Sequence, residues 1–95
     1  MSDPTILVLS SLAEGDKHGY AIMEDVERFA GIRLGPGTLY GAITRLELRG
    51  WISAAPSTDR RQPYTLTTAG REHLNQQLEQ LDKVVQTGLG RLRTA

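Results

Sequence analysis

The chain has 95 residues, no cysteine, and 11 basic residues against 11 acidic ones, a formal net charge of zero. A chain of this size is one small domain with little core to spare, and lack of cysteine excludes a disulfide framework, a thiolate zinc site and a cysteine nucleophile. No apolar run approaches the roughly 20 residues needed to span a membrane, and the N-terminus has no basic start or cleavage region of a secretory signal, so a cytoplasmic protein is expected.

The first helix starts at Asp3-Pro4, a capping acid followed by a proline suited to the first helical position. Ile6, Leu9, Leu12 and Ala13 then mark a buried face as far as the break at Gly15-Asp16. From about His18 to Ala30, the recurrence of Ile22, Met23, Val26, Phe29 and Ala30 predicts a second helix, which Gly31 ends in the left-handed region. Ile32 to Leu34 suit a brief strand. In the stretch GPGTLYGAITRLELRG, Leu39, Ala42, Ile43 and Leu46 commit one face of a third helix to a core. Its other face carries Tyr40, Gly41, Thr44, Arg45 and Leu48, where an ordinary solvated helix would show Glu and Lys pairs.

The third helix stops at Gly50. Trp51 to Ala55 and Pro63 to Leu66 then flank a polar turn, as the two strands of a hairpin do. Trp51 is expected to pack against the core or hairpin; Leu48 either packs on the base of that hairpin, is tolerated as a single exposed leucine, or meets a thymine methyl. Thr67 suits the N-cap of a last helix of some 25 residues, in which Gly88 and Gly90 each cost about 1 kcal/mol relative to Ala and predict a frayed or kinked end. Along it Leu74, Leu78, Leu81, Val85 and Leu92 form a heptad-like stripe with Gly88 at the skipped position. Part of this stripe covers the domain itself, and a second copy of the chain is the simplest partner for the rest. His73 is expected to be exposed.

Zero net charge hides an asymmetry. Residues 1 to 31 carry six acids against Lys17 and Arg28, a net of −4, whereas residues 32 to 71 carry six arginines against Glu47 and Asp59, a net of +4. Phosphate affinity follows local field and counterion release more than whole-chain charge, so the middle of the chain is suited to nucleic acid. The expected fold is mainly α with a small β-hairpin: a winged helix-turn-helix domain over residues 1–67, then one long C-terminal dimerisation helix over residues 68–95. The third helix enters the major groove in such a fold. Pro36 then suits the first turn, Gly37 and Gly41 allow close approach, Thr38 caps or donates to phosphate, and Thr44 and Arg45 reach base edges.

The run His18-Gly19-Tyr20-Ala21-Ile22, then Pro36-Gly37-Thr38-Leu39-Tyr40, Arg45-Leu46-Glu47 and Arg49-Gly50-Trp51-Ile52 resembles the PadR family of transcriptional regulators. The resemblance continues through Arg60-Arg61, Tyr64 and Leu66-Thr67-Thr68-Ala69-Gly70, covering about residues 5 to 75. It implies a homodimeric repressor that binds a palindromic operator in double-stranded DNA and pairs through its C-terminal helix, as in the short branch of the family. Candidate DNA contacts are Lys17, His18 and Tyr20, then Pro36, Gly37, Thr38, Tyr40, Gly41, Thr44 and Arg45, and in the wing Arg60, Arg61 and Gln62. Candidate dimer contacts are Leu74, Leu78, Leu81, Val85 and Leu92. Gln62-Pro63 and Thr65 stand where the family commonly has further cations, which implies a shallower salt dependence. Some members hold flat drugs between aromatics of the dimer helices, and residues 74 to 95 contain no aromatic, so that effector mode has no support here.

Neither histidine has metal-ligand spacing, and Ser10, Ser11, Ser53 and Ser57 show no nucleophile elbow, so no metal, cofactor or enzymatic activity is expected. The alternative function is a winged helix kept as a protein-interaction or assembly module, which would not require arginines on the wing and the third helix together. A ligand-sensing regulator is a variant of the first reading.

Overall fold

The structure is a computed structural model that describes residues 3–94; Met1, Ser2 and Ala95, the ends of the two expected units, lie outside them. In chain order it contains α1 (Thr5–Leu12), β1 (Lys17–His18), α2 (Gly19–Ala30), α3 (Pro36–Leu48), β2 (Ile52–Ala54), β3 (Pro63–Leu66) and α4 (Thr68–Thr94). The winged helix expected from the sequence is present. The sheet differs, because β1 joins the hairpin to give three antiparallel strands in the order β1-β3-β2. Lys17 pairs with Tyr64 and His18 with Pro63, while Ile52, Ser53 and Ala54 pair with Leu66, Thr65 and Tyr64. The strand expected at Ile32 to Leu34 does not form. That segment is irregular, and buried Leu34 with half-buried Ile32 pins it to the core.

Asp3 Oδ1 accepts the Thr5 N–H at 2.9 Å, but the N-cap of α1 is Pro4, with Thr5 as the first helical residue, so both Asp3 and Pro4 stand one place earlier than expected. This short helix is central, packed by α2, α3, α4 and β3. A single stripe therefore understates its burial: Leu7, Val8, Leu9, Ser11 and Leu12 are all buried, while Ile6 is half-buried and Ala13, past the helix end, is exposed. His18 caps α2, its Nδ1 accepting the Ala21 N–H at 3.4 Å, and Gly31 closes that helix at φ 67°. Ile22 and Val26 enter the core and Met23 packs at its edge. Phe29 and Ala30 are exposed, contrary to the periodicity, because the last turn of α2 is left uncovered.

Gly35, extended at ψ 159°, is the N-cap of α3 and supplies no side-chain cap; Pro36 takes the first turn. Thr67 Oγ1 accepts the Gly70 N–H at 3.0 Å and donates to the Gly50 carbonyl at 2.6 Å, so one residue caps α4 and ties it to the end of α3. A methyl group on Gly70 would lie 1.9 Å from the Trp51 carbonyl oxygen, so this contact of α4 with the residue before β2 admits no larger residue. Leu74 is buried beside α1 and belongs to the core of its own chain. From Leu78 onward α4 stands clear of the domain and stretches the molecule to 56 × 26 × 20 Å. It passes Gly88 and Gly90 as unbroken helix to Thr94, without the fraying expected there.

Candidate nucleic-acid interface

Four buried residues of α3, Leu39, Ala42, Ile43 and Leu46, fix which way the helix faces. At 3.6 residues per turn the row directly opposite is Gly37, Gly41, Thr44 and Leu48, with Tyr40 on one flank and Thr38, Arg45 and Arg49 on the other. Every one of these residues is exposed. Leu48 is 83% exposed, so it does not pack on the base of the hairpin. Gly37 and Gly41 have open space where a Cβ would stand, which leaves the backbone of this row accessible. Thr44 donates its hydroxyl to the Tyr40 carbonyl at 3.0 Å, so its proton is spent inside the helix and a methyl and lone pairs face outward. Thr38 does not cap α3, and its hydroxyl has no partner among the described residues.

A cleft of about 320 Å³ lies between the Tyr40 flank, the start of α2 and the wing, bounded by His18, Tyr20, Tyr40, Arg60, Arg61 and Tyr64. The phenol of Tyr40 rests on Gly19, where a methyl group would meet its oxygen at 2.4 Å. Burial raises the pKa of Tyr64 above its ordinary value, with smaller contributions from Glu47 and Tyr40. Arg61 Nη2 lies 3.2 Å from Asp59 Oδ2; that hydrogen bond, more than the backbone N–H groups of Arg60 and Arg61, holds the Asp59 carboxyl below its usual range. Arg60 has no carboxylate partner among the described residues. Gln62 spends its amide on the wing itself, donating to the Ala55 carbonyl at 2.8 Å and the Pro63 carbonyl at 2.7 Å. Its role is to close the loop that carries the two arginines.

Lys17 is a correction. Its side chain is only 13% exposed and its ammonium is held by the Ser11 carbonyl, by Glu14 at 2.8 Å and by Asp25 at 3.7 Å. It joins α1, β1 and α2 rather than reaching outward. Ser11 Oγ is buried without a partner at hydrogen-bond distance, yet its pull on the Asp25 carboxyl is the largest cause that lowers the pKa of this group, ahead of Lys17 and Arg28. His18 is likewise committed to capping α2, which leaves its ring edge in the wing-side cleft.

The other flank of α3 borders a larger groove, about 680 Å³, whose far wall is the start of α1 and the Trp51–His73 pair. Those rings stack at 3.7 Å between centroids and 12° between planes, and Arg49 Cζ lies 5.2 Å from the Trp51 ring. His73 is therefore half-buried, not a free surface residue. Residues 49, 51 and 73 have no common periodicity, so only the fold unites them.

Beyond Leu74, the residues Leu78, Leu81, Val85 and Leu92 are exposed on α4, and Leu89 lies in the same row. The heptad count misses Leu89 because it places Gly88 at the seam, whereas a straight 3.6-residue helix returns to the azimuth of Leu78 after eleven residues. Val84 is exposed beside this row. Among the described residues there is no cluster of metal-ligating side chains, and no helix is long and apolar enough to cross a membrane.

Residues 8–76 match the transcriptional regulator PadR-like family. An uncharacterised 37.1 kDa protein in a Streptomyces fradiae transposon is 42% identical over 83 residues, which are 87% of this chain but 24% of that protein, so the chain spans about a quarter of this curated relative. A transcriptional regulator from Clostridium thermocellum superposes with a TM-score of 0.78 at 28% identity, covering 87% of this chain and 84% of that one. A PadR family transcription regulator from Clostridium difficile does so at 0.74 and 30%, covering 90% and 96%.

Proposed function

Since the chain belongs to the PadR-like family of transcriptional regulators, we propose that it is a cytoplasmic repressor that binds a palindromic site in double-stranded DNA as a homodimer. The observation that carries this reading is the outward face of α3, an exposed row cleared by Gly37 and Gly41 and bordered by arginines, with the wing arginines across the cleft beside Tyr40. A helix presenting that face fits the major groove, and the wing then lies along a phosphate backbone. Arg45 is the base reader, its guanidinium matching O6 and N7 of guanine. The row Leu78, Leu81, Val85, Leu89 and Leu92 pairs with a second copy, placing two α3 helices on half-sites about one helical turn apart.

Support for pairing is the exposed apolar row itself, continuous over about four turns of a helix, with no other element of its own chain packed along it among the described residues. Selection of bound duplexes from a random pool, with sedimentation of the free protein, tests both parts. A two-fold symmetric consensus and a dimer are expected; an asymmetric consensus bound by a monomer would overturn the dimer, and recovery of no duplex would overturn DNA binding.

A further inference from the structure

We infer that the groove between α3, the start of α1 and the Trp51–His73 pair seats the sugar-phosphate backbone on the side of the major groove opposite the wing, with Arg49 as its principal contact. The inference rests on the proposed DNA binding and adds a second phosphate site to it. A helix with its side chains is about 10–12 Å across, and the major groove is about 12 Å wide. A seated helix therefore has a phosphate backbone close to each flank. The wing and Tyr40 meet one of them. The groove of about 680 Å³ lies on the other flank, where Arg49, Trp51 and His73 stand beside the DNA-contact candidates Thr38 and Arg45.

Three observations make this groove an anion seat. Arg45 and Arg49 stand one turn apart on its α3 wall, and neither has a carboxylate within salt-bridge distance among the described residues, whereas Lys17, Arg28, Arg33 and Arg61 are each paired. Unspent guanidinium groups retain their full capacity for phosphate. Secondly, Arg49 lies over the Trp51 ring at 5.2 Å and Trp51 is stacked on His73, so the guanidinium is already placed and loses less freedom on binding. Thirdly, Thr38 offers a hydroxyl without a partner on the same wall.

One acid, Asp3, also lines the groove. Its carboxylate is engaged by the Thr5 N–H, which is the main cause of its lowered pKa; Arg45 and Arg49 contribute least. It therefore does not neutralise Arg49. Its charge disfavours a phosphate against α1 and leaves the arginine wall as the favourable side, which fixes where the backbone lies.

The test uses a duplex containing the selected site, in which single phosphates are replaced by uncharged methylphosphonates. Wild-type protein is expected to lose affinity at two patches per half-site, one on each side of the major groove. Arg49→Ala removes the sensitivity of one patch and Arg61→Ala that of the other, and each lowers the salt slope by about 0.9 per half-site, or about 1.8 for the dimer. His73→Ala, which frees Trp51, weakens the Arg49 patch in part. Thermal unfolding verifies that these variants fold. A single patch in the wild type, or two patches retained in Arg49→Ala, overturns the inference while leaving DNA binding intact. No binding to any duplex would overturn the underlying function instead.

Discussion

The hydroxyl of Tyr40 rests on Gly19, so close that a methyl group there would meet the phenol oxygen at 2.4 Å. This contact links the first turn of α2 to the exposed side of α3 and shapes the cleft beneath the wing. Tyr40 is 47% exposed, so a displaced ring has water to swing into. Gly19→Ala is therefore expected to cost under about 1–2 kcal/mol of stability, yet to weaken duplex binding as much as Tyr40→Ala does. Unfolding midpoints alongside fluorescence anisotropy titrations check this, and binding equal to wild type would detach Tyr40 from the interface.

Gly70 behaves differently, although it too is a close approach. The atom that a side chain would strike at 1.9 Å is the Trp51 carbonyl oxygen, part of a backbone held by the Thr67 N–H at 3.1 Å. Neither side can yield cheaply. Gly70→Ala should lower the unfolding free energy by about 3 kcal/mol or more, at the upper end of overpacking effects, in a urea titration; a change of only a few tenths would contradict this placement of α4.

Much of this architecture was legible in the sequence, for identifiable reasons. Helix α3 and its two faces follow from Leu39, Ala42, Ile43 and Leu46, and the α4 cap from Thr67, because both signals lie within one or two turns of chain. Strand β1 was not legible: two residues carry no alternation, and Lys17-His18 becomes a strand only because Tyr64 and Pro63 arrive beside it. The ion pairing that removes Lys17 from the candidate DNA contacts was not legible either, since Asp25 closes on it only in the folded chain. Arg49 and Trp51 lie in the link between α3 and β2 while His73 comes from α4, and the groove they line is a property of tertiary packing. Leu89 was within reach, and a period of 3.6 in place of 3.5 finds it.

The two classes of arginine should separate in gel shifts. Arg45→Ala is expected to cost about 1–3 kcal/mol on the selected site and to relax preference at one base pair, whereas Arg61→Ala should weaken specific and random duplexes alike. Equal losses on both kinds of DNA for Arg45→Ala would remove it from base reading.

Residues of the α4 row divide between core and surface. Leu74→Ala should destabilise the fold by about 2–5 kcal/mol, since Leu74 is 6% exposed. Leu78→Glu and Leu81→Glu should leave the domain folded and yield monomers in sedimentation. Dimers that persist in both variants would place the interface elsewhere.

Asp25 supplies a pH dependence. Its carboxyl is held below the ordinary range by Ser11, then by Lys17 and Arg28, so the charged form is favoured by folding. The stabilisation is complete above the ordinary carboxylate pKa of 3.8 and is lost as pH falls through the lowered value. Asp25→Asn should lower stability near neutral pH and flatten the acid limb of the stability profile measured by urea unfolding. An acid limb as steep as that of the wild type would assign the effect to other carboxylates.

The central claim is that a chain of zero net charge grips duplex DNA by gathering arginines around one exposed helix face. Its most direct measurement is the affinity of the wild-type protein for a duplex across a series of salt concentrations. The account predicts that log K falls linearly with log salt, with a slope of about −0.9 for each phosphate contacted, and that the slope becomes shallower in Arg49→Ala and Arg61→Ala. Affinity that is absent, or indifferent to salt, would contradict it.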